Sequence, residues 1–295
     1  VIAAPIDPVR VRRHFDRAAH RYARAAVLQQ EVGRRMLERL ELVRLAPRRA
    51  IDVGAGGGGI TAGLAARYPR AQILALDASP QMLRQGWPRR SGFARLLRAD
   101  AAGTPVCAQM ERMPLASESV QLVCSNLALP WSGAPEQALR EMYRVLGRGG
   151  LLMFTTLGPD TLKELRAALP ASPASVHAFA DMHDVGDLLV RTGFADPVLD
   201  MEHIVLTYPD VERLLQDLRD SGASSARSDL PRGLRPRAWL AALARRYETQ
   251  RRDGALPATF EIVYGHAWKP EQSPRKSADG SAIVQFHPRR YADGR

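Results

Sequence analysis

One segment and one distant acid could do chemistry together. The segment is Asp52-Val53-Gly54-Ala55-Gly56-Gly57-Gly58, and the acid is Asp77, 25 positions after Asp52. Glycines remove side chains where backbone must approach a ligand, and a helix starting beyond them offers unpaired N–H groups. Asp77 closes a second apolar run, Gln72-Ile73-Leu74-Ala75-Leu76. An acceptor-only carboxylate at a strand end suits the two hydroxyls of a ribose. Together these features imply a ligand that carries adenosine. Gly54, Gly56 and Gly59 formally satisfy the G-x-G-x-x-G pattern of dinucleotide sites. Asp52 argues for another ligand, because a carboxylate two residues before the first glycine attracts a cationic amino-acid end and repels a pyrophosphate. S-adenosylmethionine has an ammonium, a ribose and no phosphate.

The elements that must hold these residues follow from periodicity. Residues 10–45 read as one helix, with Phe15, Tyr22, Val32, Met36 and Leu40 at helical spacing and Pro47 as its stop. Ala50–Val53 and Gln72–Leu76 read as strands, each followed by a helix. The first of these helices runs through Ile60, Leu64 and Tyr68, and the second starts at Ser79-Pro80. The stretch 86–105 reads as a loop with one short strand, and Val120–Asn126 as the next central strand. A helix over Glu136–Leu146 closes in Gly147-Arg148-Gly149-Gly150, and Leu151–Thr156 is another strand. Strands alternating with helices at this pitch predict an α/β fold, a doubly wound and mostly parallel sheet with helices on both faces. Beyond 160 the pattern gives helices near 160–169, 183–192 and 210–220, strands near 197–207 and 258–264, and a Gly/Ser/Arg-rich connection at 221–237. The expected division is an N-terminal helical cover (1–47), a cofactor-binding core (48–160), remaining strands with a lid or acceptor region (161–270) and a polar tail (271–295).

The Asp52–Gly58 turn resembles the D-x-G-x-G-x-G turn of the class I S-adenosylmethionine methyltransferases, which have a Rossmann-like fold. The likeness continues through Leu76-Asp77-Ala78-Ser79-Pro80-Gln81-Met82, then Met110-Glu111-Arg112-Met113-Pro114-Leu115, then Arg144–Gly150. It implies Asp52, Gly54, Gly56, Gly58, Asp77, Ala78, Met82, Gln109, Met110 and Asn126 as cofactor-binding residues. One departure stands at Gln109, where the family usually places an acid to hold the adenine amine. A Gln oxygen still accepts from that amine. A narrower likeness covers 10–270 and rests on four segments in order: Phe15–Tyr22, Ser125–Trp131, Phe154–Arg166 and Tyr264–Trp268. Together they resemble the BioC family, the malonyl-acyl-carrier-protein O-methyltransferases of biotin synthesis. Assembly factors of respiratory complex I that modify an arginine share much of the pattern.

The implied reaction moves a methyl group from sulfonium sulfur to the free carboxylate of a malonyl thioester. An ionised carboxylate is already a nucleophile at pH 7, so no general base is required. A cation or hydroxyl must orient it, bidentately where the cation is Arg. Candidates are Arg17 and Tyr22 on the first helix and Asn126 at the end of the fourth core strand. The resemblance lays the first helix over the cofactor, which favours Tyr22. Each has an ordinary alternative, as a surface arginine, a core-edge tyrosine or a packing amide. Other acceptors, such as a quinone precursor or an arginine, and a non-catalytic assembly role also fit the fold. His183 and His266 read as structural. His14 and His20 are six apart, which does not suit a helical metal pair, and two scattered cysteines form no zinc pattern, so no metal is expected.

Composition narrows the class further. Two cysteines in 295 residues exclude a disulfide scaffold and suit a reducing compartment. No run approaches the ~18 apolar residues of a membrane span. Val1–Pro5 shows no charged region leading into an apolar stretch, so a cytoplasmic home is expected. The net charge of +11 is unevenly spread: residues 1–50 and 221–295 each carry +7, and the middle carries −3. Basic flanks are what a docking face for acidic acyl-carrier protein would look like. Nucleic acid is not expected, because aromatics are only 6% and do not interleave with the basic residues.

Overall fold

The computed structural model describes residues 6–87, 103–169, 176–228 and 236–271. Its centre is a seven-stranded sheet in the order β3-β2-β1-β4-β5-β7-β6. The strands are β1 (Arg49–Val53), β2 (Gln72–Asp77), β3 (Thr104–Cys107), β4 (Val120–Asn126), β5 (Leu146–Leu157), β6 (Ala195–Tyr208) and β7 (Leu256–Trp268). The first five pair in parallel, while β7 runs antiparallel between β5 and β6. This is the expected doubly wound, mostly parallel architecture. The chain order reverses between β1 and β4, so a crevice opens at the carboxyl ends of those two strands.

Nine α-helices are present among the described residues: α1 (Pro8–Ala25), α2 (Val27–Glu41), α3 (Gly59–Arg67), α4 (Pro80–Gly86), α5 (Pro135–Val145), α6 (Lys163–Ala168), α7 (Met182–Thr192), α8 (Val211–Asp220) and α9 (Arg237–Glu248). Alternate residues of each central strand feed two cores. On one face Leu151 and Met153 join Val32, Met36 and Leu40 of α2 and Leu64 of α3. On the other, Leu152 and Phe154 join Leu139 and Met142 of α5 and Leu188 and Leu189 of α7. Asp7, Ser79, Asp181 and Asp210 each accept backbone N–H groups at a helix start, as short polar side chains do there.

Three expectations are corrected. The single helix over 10–45 is two helices broken at Ala26, whose ψ of 43° leaves the helical region for one residue. Ala26 N–H still bonds the Tyr22 carbonyl and its own carbonyl still accepts from Gln30, so only one residue turns the chain. No Gly or Pro marks it. The glycines at 147–150 do not form a closing turn; β5 begins at Leu146 and carries them, with Gly149 N–H bonded to the Lys269 carbonyl. The connection at 221–237 leads into α9, a helix that periodicity did not predict. Most of the 86–105 loop, and residues 272–295 of the polar tail, lie outside the described residues.

Candidate active site

The site is built where β1, β2 and β4 end. After Val53 the chain turns at Gly54, whose φ is +79° and where a Cβ would stand 2.3 Å from the Cβ of Ala128. Only glycine fits, and this lets the β1 and β4 loops close on each other. Gly56, at φ +52°, donates its N–H to Asp77 Oδ2 at 2.8 Å. Asp77 Oδ1 accepts from Ser79 N–H at 2.7 Å. Two backbone donors thus fix the carboxylate at the end of β2, and each oxygen keeps a lone pair for another donor. Burial pushes the Asp77 carboxyl up, while these two N–H groups pull it down.

These residues border a cavity of about 210 Å³. Of the expected cofactor residues, Gly54, Gly56, Asp77, Ala78, Met82, Gln109, Met110 and Asn126 line it. Gly58 does not; it caps α3 in the left-handed region at φ +87°. Asp52 does not line it either. It is 1% exposed, behind the glycine turn, with Oδ2 accepting from Thr61 Oγ1 at 2.6 Å and Oδ1 lacking a partner among the described residues. Burial raises its carboxyl to about 7, with the Asp77 charge adding and the Thr61 bonds opposing. Asp52 thus faces the cavity through the glycine turn and not as part of its lining. The buried, unpaired oxygen suits a cation bound on the cavity side of the glycine turn.

α1 and α2 roof the cavity. The Tyr22 ring lies against Gly56, and burial together with the Asp77 and Asp52 charges pushes its phenol up. Asn126 lines the cavity but its amide is spoken for: Nδ2 donates to the Gln29 carbonyl at 2.8 Å, and Oδ1 accepts from Thr155 Oγ1 at 2.8 Å. It ties α2 to the sheet and keeps one N–H for a ligand. Arg17, expected to orient the carboxylate, is exposed on α1 and is not part of the lining. Arg12, five residues earlier, lines the cavity instead, as its one basic side chain among the described residues. Gln29, Tyr208, Ser221 and Phe260 also line it without having been expected from sequence, because they come from distant segments. Only the helical phase of α1 could have indicated Arg12.

The other candidates fall elsewhere. His14 Nδ1 meets the Ser224 carbonyl, and His183 sits in the first turn of α7, its backbone N–H donating to the capping Asp181 carboxylate and its Nδ1 2.7 Å from the same oxygen. His266 is part-buried on β7 and burial lowers its pKa. Asp160, His203 and Glu261 gather close enough to hold an ion. Lys163 and the backbone N–H of Asp160 already engage the two carboxylates. Cys124 is buried and its thiol pushed up, while Cys107 is exposed.

The model of the methyltransferase domain family matches residues 51–154. The malonyl-acyl-carrier-protein O-methyltransferase of Methylovorus sp. strain MP688 is 51% identical over 286 residues, covering 96% of each chain. Those of Laribacter hongkongensis and Gallionella capsiferriformans are 50% and 49% identical, each over at least 95% of both chains. The chain belongs to the malonyl-acyl-carrier-protein O-methyltransferase family. Solved structures show the same fold at low identity. The YcgJ protein of Bacillus subtilis has a TM-score of 0.57 at 14% identity, covering 82% of this chain and 99% of its own. A putative methyltransferase from Bacillus halodurans has a TM-score of 0.56 at 18% identity, covering 79% and 98%. For this family member, S-adenosylmethionine is the cofactor, and the glycine cradle, the fixed Asp77 carboxylate and the unpaired Asp52 oxygen all fit it.

Proposed function

We propose that this chain esterifies the free carboxylate of a malonyl thioester on acyl-carrier protein, an early step of biotin synthesis in the cytoplasm. The observation that carries the reading is the near full-length identity with malonyl-acyl-carrier-protein O-methyltransferases, 46–51% across five of them. Bound S-adenosylmethionine supplies an electrophilic methyl on a sulfonium. A carboxylate oxygen forms the new O–CH3 bond as the C–S bond breaks, and the positive and negative charges cancel. A transition state less charged than its reactants gains from a site that withholds water. Phe15, Trp131, Leu157 and Phe260 give the cavity such walls. Arg12 is placed to bring in the carboxylate, and Tyr22 and the spare N–H of Asn126 to align it with the methyl.

Acyl-carrier protein is acidic, and α1 supports docking beside the cavity. Arg10, Arg13, Arg17, Arg21 and Arg24 follow one another at helical spacing along α1. Arg10 bonds the Arg227 carbonyl and Arg21 pairs with Asp220. Arg13, Arg17 and Arg24 are exposed. The test is methylation with labelled S-adenosylmethionine, offering malonyl-, acetyl- and unacylated acyl-carrier protein side by side. Label on the malonyl form alone, released by mild ester hydrolysis, is the expected result. Cofactor binding without label transfer to any malonyl thioester would overturn the proposal.

A further inference from the structure

A second cavity, about 280 Å³, adjoins the first. The two share Trp131, Leu157, Leu218, Ala223 and Phe260 as walls. Trp131 stands at the junction, edge-on to Phe15 with centroids 5.6 Å apart and stacked on His177 at 5.8 Å with an interplanar angle of 18°. The second cavity is mostly apolar, yet two polar atoms in its walls have no partner among the described residues: His177 Nδ1 and Ser225 Oγ. His177 is 4% exposed, and its Nε2 lies 3.0 Å from the Pro130 carbonyl. A carbonyl only accepts, so Nε2 carries the proton. Nδ1 is then a bare acceptor, and burial holds the ring neutral. An acceptor left unpaired in an apolar cavity is costly unless a donor arrives.

We propose that this second cavity receives the pantetheine arm of the acyl thioester, with an amide N–H of the arm donating to His177 Nδ1 and Ser225 Oγ serving a second polar group of the arm. The inference rests on the malonyl-thioester reading and adds the subsite that reads the carrier. The chemistry of the occupant matches that of the walls. A pantetheine arm is largely aliphatic, carries two secondary amides, and must enter beside the methyl-transfer cavity to place its malonyl carboxylate there. Carrier protein and coenzyme A share this arm, so both substrates use the subsite.

The test compares wild-type enzyme with His177→Gln, whose amide N–H still serves the Pro130 carbonyl while the acceptor is lost from the Nδ1 position, and with Ser225→Ala. Substrates are malonyl-acyl-carrier protein, malonyl-coenzyme A and malonyl ethyl thioester, which has no amide. His177→Gln is expected to raise KM about five- to tenfold for the first two with little change in kcat. The ethyl thioester should be unaffected, as should S-adenosylmethionine affinity by calorimetry. An equal effect on all three substrates, or none on any, overturns the subsite. If wild-type enzyme methylates none of the three, the thioester reading itself has failed. Should His177→Gln not fold, Ser225→Ala carries the same comparison: a smaller rise in KM confined to the two substrates with an arm supports the subsite, and its absence overturns it.

Discussion

Asp52 holds a carboxylate in a place that discourages charge. Its folded-state pKa of about 7 lies well above the usual carboxylate value, because burial outweighs the Thr61 hydrogen bond. For the ligand-free protein the sign is fixed by linkage. A raised folded pKa contributes stability at low pH that is lost as pH rises through about 7. Asp52→Asn removes that loss, so the ligand-free variant should melt about 2–4 °C higher than wild type at pH 8, with a smaller gain at pH 5. Cofactor affinity has the opposite sign. A cation across the glycine turn from Asp52 needs the carboxylate ionised, so wild-type affinity for S-adenosylmethionine should weaken as pH falls below about 7, with proton release on binding. Calorimetry in buffers of different ionisation enthalpy measures both. In Asp52→Asn the pH dependence should vanish and affinity drop about tenfold; an unchanged affinity would mean that Asp52 only packs. The sequence disclosed this residue and its sign of charge because strand, turn and acid are contiguous. It could not disclose that Asp52 stays behind the turn, since that depends on Thr61 of α3 and on the β1–β4 spacing.

The α1–α2 break shows what one residue does to an element. Ala26 redirects the chain, so that Tyr22 reaches Gly56 while Gln29 reaches Asn126 across the same cavity. α1 is otherwise held by its packing, including Phe15 on Trp131, and by side-chain bonds: Asp16 accepts from Ser79 at the start of α4, Arg10 and His14 meet the Arg227 and Ser224 carbonyls, and Arg21 pairs with Asp220 of α8. An exposed ion pair such as Arg21–Asp220 is worth only about 0–1 kcal/mol, so this pair by itself does little to hold the roof shut. Cofactor beneath Tyr22 should hold it shut. Trypsin cleavage after Arg24, exposed next to the break, should then slow several-fold with S-adenosylmethionine, and less so in Tyr22→Ala. Mass mapping of the fragments over a time course gives the ratio directly. Equal cleavage with and without cofactor would show a roof indifferent to what it covers. Neither the break nor α9 was legible in the chain, for different reasons. Ala26 is an ordinary residue in a helical pattern, and neither its type nor its neighbours mark a turn. Trp239, Leu243 and Tyr247 of α9 do recur at helical spacing, but arginines and the preceding Gly/Ser/Arg stretch dilute the pattern. The strands were legible because parallel strands buried on both faces read as continuous apolar runs.

At the scale of the whole molecule, two recognition problems meet on α1. The methyl-transfer cavity must hold a small anion, and the exterior must hold an acidic protein much larger than that anion. Arg12, Arg13 and Arg17 are all exposed, but only Arg12 also lines the cavity, while Arg13 and Arg17 lie on the arginine stripe away from it. A contact with the carrier surface acts through long-range attraction and is screened by salt; a contact with the carboxylate itself is made with every malonyl substrate. Reversing both exposed charges, Arg13→Glu with Arg17→Glu, should therefore raise KM for malonyl-acyl-carrier protein about tenfold at low salt. The same variant should leave KM for malonyl-pantetheine unchanged, because that substrate has no acidic surface to dock. Arg12→Ala should do the reverse in kind, impairing both substrates alike, since both present the same carboxylate. Raising salt from about 50 mM to about 300 mM should narrow the gap between wild type and the double reversal, as the Debye length falls below the reach of the stripe. If the reversal impaired malonyl-pantetheine as strongly as the carrier-bound substrate, Arg17 would be acting on the carboxylate after all. The stripe would then be a solvated surface, and docking would have to be sought on the other basic flank.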